Sequence, residues 1–162
     1  MKKFELTSET KINIFGKKLF RIKALISFAD VEAGETGGWV EKEGNVNQSG
    51  NAWVYGDAEV SDNAKVYGNA EVYGNAEVSD NAKVYGNAKV SGDADYTTIH
   101  GFGTQFRTTT FFRCKDKKVR VACGCFFGTI PEFREQVKNT RKGKIAEEYL
   151  MIADLMEKHF EK

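Results

Sequence analysis

The chain has 162 residues, 29% of them charged, and a formal net charge of +1 at pH 7. That length bounds it to one domain or two small ones, and no apolar run reaches membrane-spanning length. The start MKKFELTSE lacks the apolar core of a signal peptide, and three cysteines, an odd number, do not suit a disulfide framework, so a reducing cytoplasm is expected.

The near-neutral total hides an asymmetry. Residues 1–35 carry seven basic and five acidic groups, 36–95 carry four and ten, and 96–162 carry thirteen and eight. These three segments are also the expected domains: an N-terminal β-hairpin cap, a repeat region and a C-terminal ββαα module. Opposite net charges on the last two favour either head-to-tail association or an anionic partner for the C-terminal part.

In chain order, Lys11 to Phe15 and Leu19 to Phe28 read as a β-hairpin around Phe15-Gly16-Lys17. Gly34, Gly37 and Gly38 are expected to bend the chain into the repeats, and Trp39 to fill the open end of their core. Residues 54–71 (VYGDAEVSDNAKVYGNAE) and 72–89 (VYGNAEVSDNAKVYGNAK) then differ only at Asp57/Asn75 and Glu71/Lys89. Inside each eighteen lies a hexad, with Val first, Gly or Asp third, Asn or Asp fourth and Ala fifth. A fixed short period of this kind marks a solenoid. Gly, Asp and Asn at every third and fourth place favour turns, so each hexad reads as one short strand plus a corner, and three hexads as one coil. The register extends back through Gln48–Trp53 and Lys42–Asn47, giving about three coils over residues 42–95. On the outside it stacks Tyr55 on Tyr73, Tyr67 on Tyr85, and Trp53 with Glu71 and Lys89.

After Asp95 the repeat stops. Tyr96 to Arg107 reads as loop, and Thr108–Arg113 with Lys118–Cys123 as a hairpin across Asp116-Lys117. Thr129-Ile130-Pro131-Glu132 is a capping box with proline in the first turn, starting a helix that ends near Thr140. A second helix over residues 144–160 places Ile145, Tyr149, Ile152, Ala153, Met156 and Phe160 on one face.

The stretches GGWVEKEGNV and GNAWVYGDAEV resemble bacteriophage and bacterial hexapeptide-repeat proteins, and TTTFFRCKDKKVRVACGCFFGTIPEFREQV resembles the C-terminal module of many phage members. The resemblance implies a mainly β protein built on a short left-handed parallel β-helix. It also implies a mobile-element origin, hence the cytoplasm of an infected host, and the habit of phage accessory proteins of disabling host machinery. An anti-defence role, anti-CRISPR activity included, belongs to that expectation.

Three chemistries compete on the residues. Hexapeptide acyltransferases use a histidine as general base beside a coenzyme A groove, and His100 is the candidate here; residues 42–95 lack the interrupting loop such enzymes commonly carry. Cys114, Cys123 and Cys125, with His100, make a four-ligand zinc set on paper, although Cys123 and Cys125 alternate on a strand and equally suit buried thiols. Arg107, Arg113, Lys115, Lys117, Lys118 and Arg120 interleave with Phe102, Phe106, Phe111 and Phe112, and Lys138, Arg141, Lys142 and Lys144 lie on the interhelical turn, a composition that suits nucleic acid or a nucleotide.

The combined expectation is a non-enzymatic, homo-oligomeric inhibitor, dimer or trimer, needing no cofactor. Its prism faces bear Tyr55, Tyr67, Tyr73 and Tyr85. Its basic module engages a host protein or ribonucleoprotein. The rivals are a coenzyme A-dependent acyltransferase and a structural phage protein.

Overall fold

The computed structural model describes residues 1–161 and is mainly β, with two helices at the C-terminal end. The chain forms two compact units, Met1–Asp93 and a second from Ala94 onwards.

The first unit begins with β1 (Phe4–Ile12) and β2 (Lys18–Ala24), paired antiparallel from Phe4↔Ala24 to Ile12↔Lys18. The hairpin is thus longer at its N-terminal side than the apolar alternation of Lys11–Phe15 suggests. Asn13 makes the turn: its Oδ1 accepts the Phe15 and Lys17 N–H groups at 3.0 and 2.9 Å, and Gly16 takes φ +78°. Strand β3 (Thr36–Val40) continues this sheet, and Gly37 and Gly38 lie inside it rather than in the bend, where Gly34 sits at φ +93°.

The repeats follow as two-residue strands: β4 (Trp53–Val54), β5 (Glu59–Val60), β6 (Lys65–Val66), β7 (Glu71–Val72), β8 (Glu77–Val78), β9 (Lys83–Val84) and β10 (Lys89–Val90). They pair in parallel in three stacks, β3-β5-β8, β4-β7-β10 and β6-β9. Within the repeats each step is eighteen residues, as in Val54↔Val72, Val72↔Val90, Val60↔Val78 and Val66↔Val84. The valines from Val54 to Val90 have no exposed surface, and the alanines from Ala58 to Ala88 at most 1%. Each such valine contributes about 1.5–3 kcal/mol.

The corner chemistry follows from the backbone. The third place of each hexad adopts positive φ between +55° and +69° at Gly56, Asp62, Gly68, Gly74, Asp80 and Gly86. Glycine meets no Cβ penalty there, and aspartate is among the residues that tolerate it. The fourth-place asparagines form amide ladders, Asn51 to Asn69 at 3.1 Å, Asn69 to Asn87 at 3.4 Å and Asn63 to Asn81 at 3.3 Å.

Two expectations about the first repeats change. The inward places are Val40 and Val46, which pair with Val60 and Val66 twenty residues on, not Lys42 and Gln48. The corner at Asn51, whose N–H bonds Gly68 O at 2.9 Å, is already in the eighteen-residue register, so the two extra residues are absorbed between Val46 and Gly50. They place Gln48 against the first strand, where it accepts from Lys3 and Phe4 N–H and donates to Phe4 O. Trp53 points away from the valine row, yet it is fully buried: Phe4 and Phe28 meet it edge-on at 5.9 and 5.3 Å. Trp39 is buried too, at 8% exposed, under the Lys11 ammonium at 4.8 Å and the Arg21 guanidinium at 4.9 Å.

The second unit is a four-stranded antiparallel sheet in sequence order, β11 (Tyr96–Phe102), β12 (Arg107–Arg113), β13 (Val119–Cys123) and β14 (Phe126–Thr129), followed by α1 (Ile130–Thr140) and α2 (Gly143–His159). The segment expected as loop is therefore strand β11, and β14 was hidden in the run leading into the helix. The expected capping box is present, with Thr129 Oγ1 accepting from Glu132 N–H and Glu132 Oε2 accepting from Thr129 N–H. Phe111 and Val121 form this unit's core with Ile130, Phe133 and Val137 of α1 and Tyr149, Ile152 and Met156 of α2.

Candidate functional site

The β12–β13 hairpin organises the C-terminal candidates. At one end Thr109 faces Cys123, and at the other Arg113 faces Val119, beyond which Cys114 and Lys118 close the turn. Lys117, at φ +65°, makes that turn possible, and Lys115, Lys117 and Lys118 project from it exposed. Asp116 lies among them, but its carboxylate is taken by Arg120 Nη2 at 2.7 Å and by Lys118 N–H at 3.0 Å. The Arg120 hydrogen bond, then the backbone one, hold its pKa below the ordinary value. Among the described residues neither Lys117 nor Lys118 forms an ion pair, so the turn presents uncompensated positive charge.

Arg113 does not belong to that surface. Its Nε bonds Asp95 at 3.1 Å, its Nη1 bonds Lys117 O and its Nη2 bonds Phe160 O, both at 3.2 Å. The guanidinium also lies 5.6 Å from the Phe160 ring centre, with the side chain only 14% exposed. Arg113 is a brace between the sheet and the end of α2. Arg120, spent on Asp116, is half-buried.

At the other end of the hairpin lies a cleft of about 240 Å³. Phe126 and Phe133, rings 5.6 Å apart, and Tyr149, edge-on to Phe133 at 5.8 Å, form its apolar part. Arg107, Arg141, Cys123 and Cys125 also line the wall, which contains no carboxylate among the described residues. Tyr149 donates its hydroxyl to Phe102 O at 3.1 Å, and Thr109 Oγ1 donates to Cys123 Sγ at 3.2 Å. Burial, then the neighbouring Cys123, pushes the Tyr149 pKa up, while Arg141 and Arg107 pull against that rise. Sequence reasoning counted Arg107 and Arg141 in one general basic composition but did not bring them together in a cleft.

The three cysteines are not gathered. Cys114 is buried at the lysine turn, with its thiol pushed up to about 11 by burial, and Cys123 lies at the opposite end of the hairpin. Cys125 is exposed, because the chain turns at Gly124-Cys125 instead of continuing β13. No group of three or more potential metal ligands occurs among the described residues. His100 is exposed on β11, with Nδ1 3.1 Å from Thr108 Oγ1, and lines neither cleft described here.

In the first unit the tyrosine pairs stack as the register requires. Tyr67 and Tyr85 lie face to face at 4.6 Å and 8°, whereas Tyr55 and Tyr73 meet edge-on at 6.4 Å. Burial, then the Glu71 charge, raises the Tyr55 pKa to about 12. An open groove is lined by Lys65, Lys83 and Tyr67 together with Val46 and Gln48.

No helix among the described residues is long and apolar enough to cross a membrane. No protein-family model matches the chain, and no curated protein matches it.

Proposed function

We propose that this chain is a non-enzymatic binding protein that acts in the host cytoplasm as an oligomeric inhibitor of a host protein or ribonucleoprotein. The observation that carries the reading is the β12–β13 turn. It presents Lys117 and Lys118, exposed and without an ion pair among the described residues, while the neighbouring acid, Asp116, is committed to Arg120. Uncompensated, exposed ammonium groups on a short turn attract and steer an anionic macromolecule.

In this reading the three strand stacks are the flats of a left-handed parallel β-helix, three hexads to a coil. The eighteen-residue register and the positive-φ corners support it. Such a scaffold is rigid and holds the tyrosine faces, Tyr55 with Tyr73 and Tyr67 with Tyr85, where a second or third copy can pack. The resemblance to phage hexapeptide-repeat proteins supports the choice of a host target and an anti-defence role.

The test is affinity capture from bacterial lysate with the wild-type chain and with Lys117→Glu/Lys118→Glu, each with and without nuclease. A host protein retained in stoichiometric amount by the wild type and lost by the double variant supports the reading. Loss on nuclease treatment assigns the turn to nucleic acid within a ribonucleoprotein. Equal retention by both proteins removes the turn from the interface, and with it this proposal.

A further inference from the structure

The Arg107–Arg141 cleft is separate from the lysine turn. Two features mark it as built for an occupant.

The first is charge. Two guanidinium groups share a wall that has no carboxylate among the described residues, and their remaining lining partners are aromatic, aliphatic or neutral. The Arg141 guanidinium makes one hydrogen bond among the described residues, from Nη1 to its neighbour's carbonyl, Thr140 O, at 3.2 Å, and the Arg107 guanidinium takes part in no hydrogen bond or ion pair among them. Two exposed arginines on the wall of a partly open cleft suit a doubly charged oxyanion, because each presents a planar fork of donors.

The second is the backbone cleared to seat these groups. A side chain at Gly124, φ +59°, would overlap Arg107 Nη1, and one at Gly103, φ +77°, would come within 2.5 Å of Tyr149 Oη. Just before Arg107, Phe106 holds φ +49° and is 65% exposed. A bulky side chain in that region is a true outlier, and strain of this sort gathers at ligand sites.

We propose that this cleft binds a phosphate monoester carrying a single aromatic ring, the phosphate between Arg107 and Arg141 and the ring against Phe126, Phe133 and Tyr149. The charges match, since a phosphate monoester carries about −1.5 to −2 at neutral pH against two guanidinium groups. The size matches as well: about 240 Å³ lies below the roughly 300–1,000 Å³ of sites for drug-sized ligands, so one ring and one phosphate fill it.

The test is calorimetry of the full chain at low ionic strength with phenyl phosphate, inorganic phosphate and benzoate. Saturable binding of phenyl phosphate is expected, roughly tenfold tighter than either comparison compound, from the combined ring and dianion contacts. Arg107→Ala and Arg141→Ala should each weaken it by about tenfold or more, and Lys117→Glu/Lys118→Glu should leave it unchanged. Gly124→Ala, which keeps both charges but obstructs the seat of Arg107, should weaken it as well. A folded wild type that shows no saturable binding overturns the proposal, as does binding that the arginine variants retain in full. As a second readout, bound phenyl phosphate should shield Cys123 and Cys125 from alkylation; unchanged labelling at saturation places the ligand elsewhere. Because the lysine variant and the arginine variants report on different ends of the hairpin, either proposal can fail alone.

Discussion

Replacing Gly38 by alanine should destabilise the first unit by about 2–3 kcal/mol. An alanine Cβ there would lie 2.6 Å from Val54 Cγ1 and 2.7 Å from Ala58 O, neither of which can easily yield. The Ala58 carbonyl accepts the Trp39 N–H at 3.0 Å, so moving it loosens the joint between β3 and the first repeat. Val54 is fully buried and paired with Val72, and a β-branched side chain has few rotamers to escape into. Overpacking of this kind costs about 1–3 kcal/mol, and the upper end applies because one obstacle is backbone; lower entropy of the unfolded chain returns about 0.5 kcal/mol. Gly44 is the control. A Cβ there meets nothing within 4 Å, so Gly44→Ala should be neutral or stabilising by up to about 1 kcal/mol. Urea unfolding followed by tryptophan fluorescence reads this unit, because both tryptophans, Trp39 and Trp53, belong to it. A Gly38→Ala midpoint level with that of Gly44→Ala would refute the close passage of β3 over the Val54–Ala58 segment.

Two further outcomes follow from individual side chains. Lys3 is buried, with Nζ donating to Ala52 O at 2.7 Å and Gly50 O at 3.3 Å, and burial lowers its pKa from 10.5 to about 8. Between those values the unfolded chain holds a proton that the folded chain has released, so stability should rise with pH, by up to about 3 kcal/mol across the window. Tyr55 acts oppositely above pH 10, where its raised pKa makes the folded state lose stability, so the comparison belongs at about pH 7.5 to 9.5. Wild type should gain stability relative to Lys3→Met over that range, and parallel pH profiles would rule out a buried ammonium. Thr129→Ala removes the hydroxyl that caps α1 at Glu132 N–H and should cost about 1 kcal/mol, read from the helical circular dichroism of the C-terminal unit. No loss would mean that the capping box is formed but contributes nothing measurable.

What the sequence made legible was whatever repeats or alternates locally. The hexad fixes which residues from Val54 to Val90 face inward because a corner of positive φ admits few residue types, and the capping box at Thr129 is a four-residue pattern with one structural meaning. Even there the first repeats were read two residues out of place. The aliphatic pair Val40 and Val46 carried the true register, but the corner at Gly50-Asn51-Ala52, taken alone, pointed to Lys42 and Gln48. Strand β11 was readable in principle, since Tyr96-Thr97-Thr98-Ile99 is rich in β-branched residues, yet its polar character and two glycines outweighed that signal.

The site residues were harder for a different reason: charge type does not say where a charge is spent. Arg113 and Lys118 look alike as basic residues of one hairpin, but the first is consumed by Asp95, Lys117 O and Phe160 O and the second makes no ion pair among the described residues. Arg107 and Arg141 stand 34 positions apart in sequence, and no periodicity links a strand start to an interhelical turn. The one local trace of their cleft is Cys123-Gly124-Cys125, where a glycine at positive φ leaves room for a guanidinium that arrives from the neighbouring strand. A glycine of this kind gives a specific signal only when the group filling its missing side-chain volume is known. The Gly124→Ala variant therefore tests more than a turn: loss of phenyl phosphate binding with the fold intact would tie that residue to the seat of Arg107.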